Sequence, residues 1–352
     1  MRAAEGMFQD RALFCHYIFT RTAFVRNMRR SFQKQHSVRH EMADYRLGID
    51  FGGTKIEIAV LDRAGDLQLR ERVPNPGIYE EAVIAVRDLV ASVDQRLGSV
   101  ASHLAKPGQL SSTLGIGIPG SISPETGLIK NANATWLNNQ PFGIDLDRAL
   151  GRSVRVENDA NCFALSEAAD GAGEGNRTVF GIIIGTGMGA GIVVDGKVIG
   201  GRHSIAGEWG HTPLPWTRLE EFPLPKCFCG NEGCLERYLC GPELAKDWKG
   251  IGHHNTAGIE EAAASGDIAA IGALDRYMDR FSRACALAIN FLDPDIIVLG
   301  GGVSNLDSIY ERVPPLLARH VITPTCTTPI VRNKHGDSSG VRGAAWLWDV
   351  TE

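Results

Sequence analysis

Apolar positions along this chain fall into an arrangement that occurs twice. At 45–73 (YRLGIDFGGTKIEIAVLDRAGDLQLRERV) an apolar run ends in a glycine-rich turn, and a second apolar run follows. At 178–201 (TVFGIIIGTGMGAGIVVDGKVIGG) the same signals recur in the same order. The second runs, IEIAVLD and GIVVD, are short and β-branched and close at DRAGD and DG, which predicts hairpins. The copies lie roughly 130 residues apart, so the pattern predicts an internal duplication, two similar lobes with a cleft between them.

Helical spacing follows each copy, at 79–97, 267–292 and 305–321. Pro314 and Pro315 predict a kink or break in the last of these. Short apolar runs at 112–120, 153–158 and 295–302 end at glycine or asparagine and read as buried strands. Strands alternating with helices give an α/β class.

Composition narrows the picture. The 352 residues suggest about two domains of ~150 residues. Apolar residues at 43% suffice for sizeable cores, and 41 glycines point to tight turns and close backbone approach to a ligand. No apolar run is long enough to cross a bilayer. Residues 1–41 hold eight Lys/Arg against three Asp/Glu, a net of +5; with −5 for the whole chain, the remainder carries −10. An acidic body argues against a nucleic-acid surface. Met42 resembles a natural start just before the first strand, so 1–41 reads as a disordered upstream extension without function.

The glycine turns carry candidate chemistry. GIDFGGTK (48–55) is not a P-loop, because Thr54 precedes Lys55 and a strand follows instead of a helix. It reads as a hairpin whose bare N–H groups and Thr54 hydroxyl approach phosphate oxygens, with Asp50 meeting Mg²⁺ through water; an ordinary turn is the plain alternative. IIIGTGMGAGIVVDG (182–196) contains a dinucleotide-like fingerprint, yet a strand follows it, so a second phosphate hairpin fits better. In DIIVLGGGVSN (295–305), three glycines either let a flat group lie on the backbone or make a tight turn. In VENDANCFALSEA (156–168), Asp159 reads as a helix N-cap or as a general base at a strand end, with Asn158 holding a hydroxyl in line.

Eight cysteines, three of them in CFCGNEGCLE (227–236), do not make a disulfide scaffold. Cys-Phe-Cys is too tight for an easy disulfide, and a redox pair is more often C-x-x-C. With His211 from GEWGH, residues Cys227, Cys229 and Cys234 form a Cys₃His set suited to tetrahedral Zn²⁺.

The series IDFGGTK, GIGIPGSI, NDAN, GTGMGAG, GEWGH, CFCGNEGCLE and LGGGVSN resembles the ROK family over about residues 46–348. Within it, KNANATWLNNQPF (130–142), GHTPLPW (210–216) and 334–348 are most similar to bacterial fructokinases of the manno(fructo)kinase type. N-acetylglucosamine kinases, which share NDANCFALSEA and the cysteine loop, come next. The resemblance implies an α/β, actin-like (ribonuclease H-like) duplicated two-lobe sugar-kinase fold with ATP and sugar in the interlobe cleft. The small lobe is expected at 45–157, with a C-terminal helix (337–350) packing back, and the large lobe at 158–336.

ATP is then expected at Asp50, Gly52, Gly53, Thr54, Lys55, Thr186 and Gly187, with Gly301 and Gly302 at the adenosine. Asp159 matches the catalytic base, and Gly120, Asn133, Asn158, Glu208, His211 and Glu236 match hexose-contacting positions. The expected activity is ATP- and Mg²⁺-dependent 6-phosphorylation of a hexose, fructose first and N-acetylglucosamine, glucose or mannose as the alternative. Structural Zn²⁺, a homodimer and a cytoplasmic location are implied as well. The family's repressors carry a two-helix DNA-binding domain ahead of this part, and residues 1–41 show no such pattern, which weighs against a sugar-sensing regulator. Phe228 departs from the glycine usual between the first two cysteines.

Overall fold

The computed structural model describes residues 44–101 and 112–348, so the extension expected to be disordered lies outside the described residues. The first repeat forms β1 (Tyr45–Phe51), β2 (Lys55–Asp62) and β3 (Leu67–Pro74), then a helix, Tyr79–Ala101. β4 (Ser112–Ile118), a two-stranded β5 (Ser121–Ile122) and β6 (Ile129–Lys130), a helix Phe142–Leu150 and β7 (Arg155–Asn158) follow. The sheet order is β3-β2-β1-β4-β7, antiparallel in the hairpins and parallel from β1 onward. The second repeat gives β8 (Thr178–Ile184), β9 (Met188–Val194), β10 (Lys197–Val198), β11 (Ile296–Gly300) and β12 (Ile330–Arg332). Their order, β10-β9-β8-β11-β12, repeats both the neighbours and the directions of the first sheet. The duplication legible in the glycine turns is therefore a duplication of topology, as the actin-like fold requires.

Each sheet has its own core. Leu47, Ile49, Ile58 and Leu114 pack with Val86 and Val93 of the helix Tyr79–Ala101. In the second lobe Ile182, Ile297 and Leu299 pack with Tyr277, Met278 and Phe281 of the helix Ile268–Leu292. The 305–321 segment breaks as its prolines demand, into Asp307–Arg312 and Pro314–Leu317. Among the described residues no helix is long and apolar enough to cross a membrane.

Two helices join the lobes, and small residues let them do so. The helix Asp159–Ala169 is buried on every side from Ala160 to Glu167, the pattern of an element enclosed by protein. Against the second sheet it leans on glycines: a Cβ on Gly181 would meet Ala164 Cα at 2.8 Å, and one on Gly191 would meet Ala160 O at 2.5 Å. Its other side crosses the helix Ser339–Ala345, where a Cβ on Gly343 would lie 1.6 Å from Cys162 O. That second helix presses on the first sheet in turn, since a Cβ on Gly48 would reach Val341 O at 2.0 Å and one on Gly115 Ala344 O at 1.8 Å.

Polar groups pin the crossing. The buried Glu167 carboxylate accepts from the N–H of Ala172 (2.8 Å) and Lys334 (3.0 Å) and from Ser339 Oγ (2.7 Å). Asp170 accepts from His335 Nε2 (2.8 Å) and Trp346 Nε1 (3.2 Å) and pairs with Arg342. Against the upward push of burial, the His335 and Arg342 hydrogen bonds hold the Asp170 carboxyl below its ordinary value.

Because Cys162 O and the Gly343 Cα face each other with no space between, Gly343→Ala must drive the two helices apart. The expected loss is about 3 kcal/mol, at the upper end of overpacking costs, read as a lowered urea midpoint with an unchanged slope. An unfolding curve matching that of the unmutated protein would show that the crossing yields.

Candidate active site and cysteine cluster

The parallel strands carry the candidate residues at their carboxyl ends, where open α/β sheets bind ligands. β7 ends at Asn158, and the central helix starts at Asp159. Asn158 is the helix cap: its Oδ1 accepts from the N–H of Ala160 (2.9 Å) and Asn161 (3.3 Å), and its Nδ2 donates to Gly120 O (3.0 Å). The reading of Asp159 as the cap is thereby corrected, and Asn158 holds the Gly120 turn against the helix start. Asp159 Oδ1 shares the Ala160 N–H at 2.8 Å, while the residue keeps an exposed face. Desolvation by the cleft walls pushes the Asp159 carboxyl up to about 6. The Ala160 N–H opposes the rise, and the charges of Asp50 and Glu208 add to it. Burial, then the charge of Glu57, raises Asp50 as well. Glu57 is itself buried and paired with Arg70 and Arg72.

The two hairpin turns have the form expected of them. Gly52 N donates to Lys55 O (2.9 Å) and Asn75 Nδ2 to Gly52 O (2.7 Å), leaving Gly53, Thr54 and Lys55 exposed. In the second turn Gly185 N donates to Gly187 O (2.9 Å), and Thr186 and Gly187 are exposed. Beside it lies a cavity of about 630 Å³ lined by Gly185, Thr186, Pro242, Thr256, Ile259 and Gly302, among others. Gly302 lines this cavity, and Gly301 beside it packs at φ +81°, where a Cβ would come within 2.4 Å of Ile184 O.

The far wall of this cavity, His254–Glu261, carries no recognisable motif, and nothing in the sequence singled it out. Glu260 ties that wall to the start of the helix Asp307–Arg312, accepting from Ser308 N (2.8 Å) and Asp307 N (3.3 Å).

On the opposite side, Gly120 at φ +94° could carry no side chain, since its Cβ would lie 2.6 Å from Lys130 O. Asn138 brackets Ala132, accepting from its N–H (2.9 Å) and donating to its carbonyl (3.0 Å), and so presents Asn133 exposed. Asn138 is a positioning residue that sequence patterning gave no cause to single out. Glu208 is exposed just before the turn Trp209–His211, and Lys130 Nζ donates across the lobes to His203 O.

The four cluster residues converge. Their ligand atoms lie within 4.8 Å of one another, with His211 Nδ1 at 3.6 Å from Cys227 Sγ and Cys229 Sγ at 3.6 Å from Cys234 Sγ. Tetrahedral zinc with Zn–S of ~2.3 Å places two sulfurs about 3.8 Å apart, so the donor set fits that ion nearly as it stands. Gly230 and Gly233, at φ +93° and +76°, let the chain wrap the site. Burial pushes the Cys234 thiol up to about 12, a cost that a bound cation removes by holding thiolate. Nδ1 faces the cluster, so the Nε2 edge of His211 is turned away from it. Phe228, 74% exposed, meets the His211 ring edge-on at 4.9 Å.

The ROK family model matches residues 46–350. An N-acetyl-D-glucosamine kinase from Haemophilus influenzae is 40% identical over 310 residues, 86% of this chain and 98% of that protein. A solved ROK hexokinase from Thermus thermophilus superposes with a TM-score of 0.72 at 29% identity, over 86% of this chain and 97% of the other. A ROK family glucokinase from Streptomyces griseus, solved with glucose and AMPPNP, superposes with a TM-score of 0.65 at 27% identity, over 86% and 98%.

The donor geometry makes its own prediction. Metal analysis of the purified protein is expected to find about one zinc per chain. Cys227→Ala is expected to lose the ion and lower Tm. Metal-free protein of full thermal stability would sink the zinc assignment.

Proposed function

The chain belongs to the ROK family, and on that premise we propose that it transfers the γ-phosphoryl group of ATP to the 6-hydroxyl of N-acetyl-D-glucosamine. The observation that carries the phosphoryl-transfer reading is Asp159: a carboxyl just past a strand end, raised to about 6 by desolvation and by the charges of Asp50 and Glu208. A general base works best with a pKa near the operating pH, and a sugar hydroxyl needs one. The choice of sugar is supported by the 40% identical relative and its name. Fructose was favoured by flanking segments, and one of these, 334–348, serves the helix crossing: Lys334, Ser339 and Arg342 bind Glu167 and Asp170. Packing alone accounts for that segment, so it adds no weight to fructose.

Asp159 accepts the proton of the 6-hydroxyl as that oxygen bonds to the γ-phosphorus. The bond from phosphorus to the β–γ bridging oxygen breaks, and ADP leaves with its electron pair. Glu208, Asn133, the Nε2 edge of His211 and the Gly120 turn orient the sugar, while Asn158 holds the Gly120 turn and the start of the Asp159 helix. Gly53, Thr54, Thr186 and Gly187 offer N–H and hydroxyl donors to the phosphates, and the cavity at Thr256, Ile259 and Gly302 receives the adenosine. The charge of Asp50 adds to the rise at Asp159, and burial and Glu57 raise Asp50 itself, a concentration of oxygen donors and negative charge that suits Mg²⁺, with Asp50 as its anchor. Bound Mg²⁺ would spread the charge of the transferring phosphoryl group. Lobe closure, along the path of the Lys130–His203 contact, excludes water.

An ATP-coupled panel of N-acetylglucosamine, glucose, mannose and fructose is expected to give the highest kcat/KM with the first. A maximum with fructose would reverse the sugar assignment, and no turnover on any would sink the kinase reading. Asp159→Asn is expected to bind sugar yet lose about 10³-fold in kcat. The wild-type kcat/KM should fall below pH ~6 as Asp159 is protonated and level off above it, since only the carboxylate accepts a proton. A profile flat down to pH ~4.5 would remove Asp159 as the base.

A further inference from the structure

The resemblance places Glu236 against the sugar, but its carboxylate also makes a contact of another kind. Glu236 Oε2 accepts from the backbone N–H of Met188 at 3.0 Å, and a Cβ on Gly187 would meet the same oxygen at 3.0 Å. Met188 is the first residue of β9, immediately after the turn that presents Thr186 and Gly187. The other limb of that turn is held from the same side: Gly241 N donates to Gly185 O at 2.8 Å. Glu236 opens the short helix Glu236–Leu239, and Gly241 follows its cap, Cys240. That helix is thus a bracket, gripping the turn at Met188 by a side chain and at Gly185 by the backbone.

The bracket begins two residues after Cys234. The intervening Leu235 N donates to Thr212 O at 2.9 Å, next to His211, so the cysteine loop fixes where the helix starts. We propose that Glu236 is a positioning residue through which the Cys₃His cluster sets the nucleotide-side turn, so that the metal governs ATP affinity as well as sugar binding. A carboxylate is suited to this, because a charge-assisted hydrogen bond to a backbone N–H is stronger than a neutral one. The proposal rests on the reading of Thr186 and Gly187 as phosphate donors.

The test is direct binding of a fluorescent ATP analogue in the absence of sugar, beside KM for ATP and for sugar. Glu236→Ala is expected to raise the nucleotide Kd about tenfold, the scale of one charge-assisted hydrogen bond. Glu236→Gln, whose amide oxygen still accepts from Met188 N–H, should recover most of the affinity. Gly187→Ala, which crowds the carboxylate at 3.0 Å without altering it, should move Kd in the same direction, and the chelator arm in the wild type gives the answer if Glu236→Ala does not fold. Stripping zinc with a chelator should raise Kd in the wild type and add nothing in Glu236→Ala. Nucleotide affinity unchanged in Glu236→Ala and in Gly187→Ala, with only the sugar KM raised, would overturn the coupling. A wild type that binds no nucleotide would overturn the phosphate reading itself and this proposal with it.

Discussion

The crossing of two helices at Gly343 and Cys162 is the constraint on which this molecule is built. With a Cβ position 1.6 Å from a carbonyl oxygen, the backbones touch with nothing between them. Gly48 and Gly115 allow one helix onto the first sheet, and Gly181 and Gly191 allow the other onto the second. Dense packing leaves little slack in such a stack. The start of the central helix, and Asp159 with it, is therefore placed by glycines in strands far away in sequence. Asp159 is fixed relative to the crossing by that packing.

The electrostatics follow from that placement. Asp159 lies where Asp50 from the first sheet and Glu208 from the second lobe act on it together, with protein displacing water from all but its open face. A carboxyl on an open surface would stay near its ordinary value. Here geometry lifts it toward neutrality, and no cationic side chain appears among the chief influences on it. The balance differs at Asp170, where His335 and Arg342 hold the carboxyl down and fasten the structure instead.

Much of this was legible in the sequence. Glycine turns followed by β-branched runs gave both hairpins, because few residue types can make those turns. Paired prolines gave the helix break, and Cys and His gave the cluster, since ligand chemistry survives in residue identity. Other features left no such trace. The cavity wall at His254–Glu261 is a polar loop running into the helix Ile259–Ala264, and nothing marks it until Glu260 binds the helix at Ser308. The bracketing of Ala132 by Asn138, the capping of the central helix by Asn158 rather than Asp159, and the bond from Glu236 to Met188 depend on three-dimensional register. The choice of sugar was illegible for a related reason: segment 334–348 carries resemblance and also serves packing, and a string of residues does not say which use is being made of it.

The Glu167 carboxylate has a further consequence, for the order in which the protein is made. It sits near the middle of the chain, and its partners at Lys334 and Ser339 lie close to the end. While the chain is leaving the ribosome, the central helix has nothing to cross, and the first sheet lacks the helix that covers Gly48 and Gly115. Both lobes therefore wait, with apolar faces open, for one short segment to arrive. Contacts this distant in sequence form slowly, and a nascent chain halted before residue 339 would expose the surfaces that chaperones recognise.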